Sequence, residues 1–199
     1  MLFYRDLVLL AEPKDCRFFM NSIFVSLHEK HSQLNVAVAF PTWEDATPNN
    51  PHVFENTRYA APGKVMRLFA QDANALEHVI EVLRLEEMVK KHVLFVTPVL
   101  PVPTARKFVA YIRDRVREKV TRKGRRTPDA EMREALSIEA ISRAHTTAYV
   151  PSWSSKNNRS FSLFITRLVS DTAVSQDTLW DVSSYGLSSK TKPLYLPEF

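Results

Sequence analysis

Apolar positions in the first hundred residues follow two rhythms, one of period two or less and one of helical period. Phe3 to Leu10 reads as a strand, interrupted by the Glu12-Pro13 pair. Asp15 is placed to cap a helix running to about His31, with Phe18, Phe19, Ser22, Ile23, Ser26 and Leu27 in mixed amphipathic spacing. Leu34 to Phe40 (LNVAVAF) has the unbroken apolar character of a buried strand and stops at Pro41. After a polar, proline-bearing loop, Lys64 to Ala70 predicts a further strand and Asp72 a cap for a second helix in DANALEHVIEVL. Leu85 to Lys91 is ambiguous, and His92 to Thr97 is strand-like.

Read in order this is β-α-β-β-α-β, the pattern of a ferredoxin-like (RRM-like) domain with two helices on one face of an antiparallel sheet. Pro98, Pro101 and Pro103 close the unit and set a boundary near residue 100. The expected class is therefore α+β, with a ferredoxin-like domain over 1–100 and a smaller α+β domain over 101–199. In the second part a basic element is followed by a helical stretch at Ala130–Ala144 and by strands in AYVPSW and RSFSLFITRLV. Phe161, Leu163 and Ile165 alternate onto one face of the last of these. A fold of this kind hosts many functions and argues for none by itself.

Composition removes several classes. A hydrophobic fraction of 45% fills a real core, and the 3 glycines against 12 prolines leave no glycine-rich phosphate cradle. Nucleotide-fuelled chemistry is thereby disfavoured. Cys16 is the only cysteine, so neither an internal disulfide nor a four-thiolate zinc site is available. The opening MLFYRDLVLLAEPKD lacks the basic-then-apolar order of a secretory signal, and no apolar run reaches the roughly 18 residues of a membrane helix. A cytoplasmic protein with no membrane contact is expected.

Charge adds a partner. The net charge is +5, from 27 Lys+Arg and 22 Asp+Glu, and residues 105–126 alone hold 10 Lys+Arg against 2 acids. Outside that element the chain is slightly acidic, so the positive charge is concentrated where a polyanion would bind. Val109, Ile112, Val116 and Val120 recur at helical spacing, which predicts a helix with a narrow apolar stripe. Arg115, Lys119, Arg122 and Lys123 would flank that stripe on one side and Arg113 and Arg117 on the other, with Arg125 and Arg126 beyond. Such a helix suits the phosphates of an A-form groove, and Arg113 is the candidate for a bidentate guanine contact. The blander alternative is a solvated charged helix, but Asp114 and Glu118 are too few to neutralise it.

Several segments, IFVSLHEKH, the basic element, SFSLFI and YGLS followed by PEF, resemble the repeat-processing endoribonucleases of type I-F CRISPR Cascade, collinearly across nearly the whole chain. The resemblance implies an enzyme that binds the repeat hairpin of CRISPR precursor RNA and cleaves at its 3′ base without metal or cofactor. The product would stay bound, making the protein a Cascade subunit beside a backbone subunit, with target DNA reached only through the complex. The chain's length and its loop after the first strands look closer to the transposon-associated branch of the family.

By the same resemblance His28, in FVSLH, matches the catalytic histidine, and a histidine is the side chain suited to act as general base near neutrality. Taken alone, His28 would more often simply complement the helix dipole. His31 lies three residues on, but HEKH is not the HExxH zinc spacing. Family spacing from SFSLFI places the serine that orients the 2′-OH at Ser154, with Ser152 and Ser155 as neighbouring candidates. Tyr185 matches a tyrosine that positions the histidine, and Phe161 an aromatic that stacks on the last base pair, although either would serve equally well in a core. Tyr111 and Lys156 complete the candidate RNA contacts, Lys156 as a cation for the charged phosphorane. The rival readings are a non-catalytic hairpin-binding module and, more weakly, a DNA-binding regulator.

Overall fold

The computed structural model describes residues 1–45, 60–115, 129–132, 147–154, 159–171 and 182–199. The chain is mixed α/β with two antiparallel sheets. β1 (Phe3–Leu9) leads into α1 (Pro13–Lys30), then β2 (Ala37–Ala39) and β3 (Val65–Ala70). Three short helices follow, α2 (Ala73–Glu77), α3 (Val79–Leu83) and α4 (Glu86–Lys90), before β4 (Leu94–Val96) and β5 (Leu100–Pro101). The first sheet has the order β2-β3-β1-β4, with β5 extending the pairing along β1. β6 (Lys107–Arg113), β7 (Thr147–Ser154), β8 (Arg159–Ser170) and β9 (Leu196–Glu198) form a second sheet in the order β7-β8-β6-β9.

Local chemistry explains where the elements depart from expectation. α1 starts earlier than a cap at Asp15 would place it: Glu12 is the capping position, without a side-chain bond, and Pro13 opens the helix. Proline suits that position because its missing N–H would have no helical partner there and its φ is already helical. Asp15 instead adds negative charge to the first turn. Asp72 does cap the next helix, accepting from the Asn74 N–H at 3.0 Å. The single helix expected after it is divided at His78, whose backbone (φ −88°, ψ 1°) leaves the helical path between α2 and α3, and Arg84 in a left-handed conformation (φ 56°) ends α3.

The largest correction concerns the start of the basic element. Residues 107–113 form β6, not the first turns of a helix, and pair antiparallel with β8 from Phe108↔Ser170 to Arg113↔Ile165. Val109, Ala110, Tyr111 and Ile112 are all buried, so this strand is covered on both faces. Such a strand reads as a continuous apolar run, within which a helical spacing can also be picked out. The chain leaves the ladder at Asp114, whose N–H donates to the Phe164 carbonyl at 2.8 Å. Residues 130–132 are helical, with Asp129 accepting from the Met132 N–H at 3.2 Å; the rest of the expected helix lies outside the described residues.

Both sheets contribute to one buried apolar cluster, in which Leu7, Phe24, Val38 and Phe69 join Tyr111, Leu163, Ile165 and Leu187. Each such large side chain contributes roughly 1.5–3 kcal/mol when buried. α1 packs chiefly against β7 and also touches α3 and β1. The C-terminus ties the sheets together as well. β9 pairs with β6, while the Phe199 ring meets Tyr4 edge-on at 4.8 Å. Arg67 sits between these two rings, 4.6 Å from the Tyr4 centroid and 4.1 Å from that of Phe199. Its guanidinium is bidentate on Asp6 at 2.7 and 2.9 Å. That pairing satisfies a charge that could not otherwise remain so buried. Among the described residues no helix is long and apolar enough to cross a membrane.

Tyr111 is a core residue, and this overturns its assignment to the RNA surface. It is 1% exposed, its hydroxyl donates to the Phe40 carbonyl at 2.9 Å, and burial pushes the phenol up to about 12. Tyr111→Phe is therefore expected to cost about 1 kcal/mol of stability, by denaturant titration, with RNA affinity unchanged.

Candidate active site

α1 delivers His28 to its last turn, at the helix end where carbonyls are left without helical partners. Leu27, its neighbour in the chain, is buried, which fixes the helix face and leaves His28 on the exposed side. The segment 182–188 folds back over this helix end. Val182 and Ser188 bridge one another, the Gly186 N–H donates to the Ser183 carbonyl at 2.8 Å, and the Ser183 N–H donates to Leu187 at 2.7 Å. The turn is pinned on both sides: the Val38 N–H of β2 donates to the Gly186 carbonyl and the Ser188 N–H donates to Tyr111 of β6, both at 2.8 Å.

This turn carries the groups that meet His28. The Tyr185 ring stacks on the imidazole with centroids 4.7 Å apart and planes within 9°. Tyr185 is itself held edge-on by Phe24 at 6.2 Å. The Ser184 hydroxyl lies 2.6 Å from His28 Nδ1. Arg113, the last residue of β6, places its guanidinium carbon 5.3 Å from the Tyr185 centroid, a cation-π distance. His31 runs nearly parallel to His28 at 6.3 Å, and its Nδ1–H donates to the His28 carbonyl at 3.0 Å. Helix end, turn and strand end thus converge on one imidazole.

Electrostatics favour the neutral, proton-accepting form of that imidazole. Partial desolvation by the Tyr185 turn, on a side chain that stays exposed, holds the His28 pKa below 6.5, and His31 and Arg113 push in the same direction while Glu29 opposes them. A base must be unprotonated to act, so if His28 serves as one, the rate of the reaction it serves rises with pH and levels off once the imidazole has lost its proton. The inflection of the single-turnover rate should lie below 6.5, the ordinary histidine value. Replacing Arg113 with Ala removes one repelling charge and should move that inflection upward.

The structure brings together His28, Tyr185 and Arg113 of the residues singled out in the sequence. It gives Arg113 a neighbour, Tyr185, that ties it to the imidazole site. Arg115 is exposed just past β6. Ser154 ends β7, paired through its backbone with Arg159, and Ser152 is paired with Phe161. This hairpin runs on past Arg113, whose partner on β8 is Ile165. Arg117, Lys119, Arg122, Lys123, Arg125, Arg126, Ser155 and Lys156 lie outside the described residues. Ser184 is the residue that sequence reasoning missed, although it directly precedes the YGLS segment that drew attention to Tyr185. Among the described residues no group of three or more His, Cys, Asp or Glu side chains is placed to hold a metal ion.

The imidazole site thus lies at the end of β6, the strand with which the basic segment of the sequence begins. A family model described as CRISPR-associated protein (Cas_Csy4) matches residues 4–199. The chain belongs to this family of CRISPR endoribonucleases, in line with the resemblance carried by its sequence segments. No curated protein matches it.

Proposed function

We propose that the protein cleaves CRISPR precursor RNA at the 3′ base of the repeat hairpin, without metal, and remains on the product as a subunit of a type I-F Cascade. The observation that carries this reading is the His28 imidazole, stacked on Tyr185 and bonded through Nδ1, in a chain of the Cas_Csy4 family. With Nδ1 engaged, Nε2 is the nitrogen left to face substrate. It takes the proton of the 2′-OH as that oxygen bonds to the adjacent phosphorus. The P–O5′ bond then breaks, the departing oxygen takes a proton from solvent while the imidazolium returns its own to solvent, and a 2′,3′-cyclic phosphate remains.

Other residues take supporting roles in this reading. Tyr185 positions the imidazole, and Ser154, or its neighbour Ser152 or Ser155, orients the 2′-OH. Phe161 stacks on the last base pair of the stem, and Lys156 offsets charge on the phosphorane. Arg113, Arg115, Arg117, Lys119, Arg122, Lys123, Arg125 and Arg126 line the hairpin phosphates, a contact whose strength falls steeply with salt. The strand order β2-β3-β1-β4 supports a ferredoxin-like domain over 1–100 that presents the base. Residues 101–199 then form the RNA-holding domain. The polar, proline-bearing stretch of sequence after β2 favours the transposon-associated branch. In the assembled particle the partner is a backbone subunit, and target DNA is met only through the complex.

Incubation in EDTA with a hairpin from the repeats of the same locus tests this function. One cut at the 3′ base of the stem is expected. Tight binding with no cut in any repeat hairpin would instead support a non-catalytic RNA-binding module.

A further inference from the structure

The turn that supplies the Tyr185 ring also supplies a hydroxyl. We infer that Ser184 is a positioning residue for His28, accepting a hydrogen bond from Nδ1–H and so leaving the Nε2 lone pair free to take the proton; this rests on His28 being the general base.

Two restraints are needed to aim an imidazole. A stacking partner fixes the plane of the ring but not which edge faces substrate, and a hydrogen bond to one nitrogen fixes the edge. Tyr185 provides the first at 4.7 Å and Ser184 the second at 2.6 Å, from adjacent positions in the chain. Neither can drift alone, because the Gly186 carbonyl is held by Val38 and the Ser183 carbonyl by Gly186, both at 2.8 Å. The pair therefore acts as one jaw closing on the end of α1.

The direction of the hydrogen bond follows from what a base requires. Neutral imidazole carries a single N–H, and a serine hydroxyl can donate or accept. If Ser184 donated to Nδ1, the hydrogen of the ring would sit on Nε2 and the free lone pair would face Ser184, away from substrate. If Ser184 accepts, Nε2 is unprotonated at the outset. Once the 2′-OH proton has moved to Nε2, both nitrogens carry hydrogen and the Ser184 oxygen still accepts from Nδ1. No group then has to reorient during the transfer, which lowers its cost.

Long-range ¹H–¹⁵N spectra of the imidazoles, compared with those of His28→Ala to assign the signals, test this directly. The Nδ1–H tautomer is expected for His28 in the full-length protein above its pKa. Ser184→Ala should shift the spectrum toward the Nε2–H form and lower the single-turnover cleavage rate by about tenfold, part of what a positioned base contributes. RNA affinity should stay unchanged, and Ser184→Thr, which keeps the hydroxyl, should restore both tautomer and rate. An Nε2–H tautomer in the unmodified protein, or a Ser184→Ala variant with unaltered spectrum and rate beside an inactive His28→Ala, would overturn the role of Ser184 alone. Full activity in His28→Ala would overturn the base itself, while the spectra would still report whether Ser184 sets the tautomer.

Discussion

His28→Ala is expected to lower single-turnover cleavage of the repeat hairpin by about 10²- to 10⁴-fold, the usual contribution of a positioned general base. RNA affinity should remain close to that of the unaltered protein, because the basic segment is separate in the chain from the end of α1. The substitution should be mild for the fold, since His28 is exposed and its ring packs on Tyr185 without entering the core. Measuring the rate with protein in excess over RNA separates chemistry from product release. A His28→Ala variant that cuts at an undiminished rate would remove this residue from the reaction.

The second large effect is expected at Gly186. Its φ of +70° is a conformation that side chains with a Cβ rarely adopt, at a cost of about 1–3 kcal/mol. Space is also lacking: a Cβ there would lie 2.6 Å from Val38 Cγ2 and 3.1 Å from the Val36 carbonyl oxygen. Because Val38 sits in a close-packed strand, relief must come partly from the turn moving outward, at a further cost of about 1–3 kcal/mol. Gly186→Ala should therefore lose about 2–6 kcal/mol in thermal or denaturant unfolding. An outward shift of the turn would also carry Ser184 and Tyr185 off His28. Cleavage should fall even under conditions where the variant remains folded, as judged by circular dichroism alongside the rate measurement. Unchanged stability would show that the turn is less tightly seated against β2 than its contacts imply.

How much of this was legible in the chain depended on how local the signal was. β1 and β3 were readable as short apolar runs beside breakers, β8 by the alternation of Phe161, Leu163 and Ile165, and Asp72 because a cap is a contact two residues long. β6 was not, since a strand buried on both faces has no alternation, and its arginine-rich continuation made a helical stripe easy to find. Tyr111 was misassigned for the same reason: its position in a basic element concealed that Phe40, remote in sequence, takes its hydroxyl. The resemblance led to His28 and Tyr185 separately. Their stacking, with Ser184 on Nδ1, joins residues far apart in the chain and rests on a glycine turn seated against two strands. No local pattern encodes such a meeting.

The nature of the cut ends tests the central claim most directly. With a repeat hairpin and EDTA, mass spectrometry of the products should find a 2′,3′-cyclic phosphate on the upstream fragment and a 5′-hydroxyl on the downstream one. A 5′-phosphate on the downstream fragment, or cleavage that appears only when a divalent metal is supplied, would contradict attack by the 2′-OH with His28 as its base.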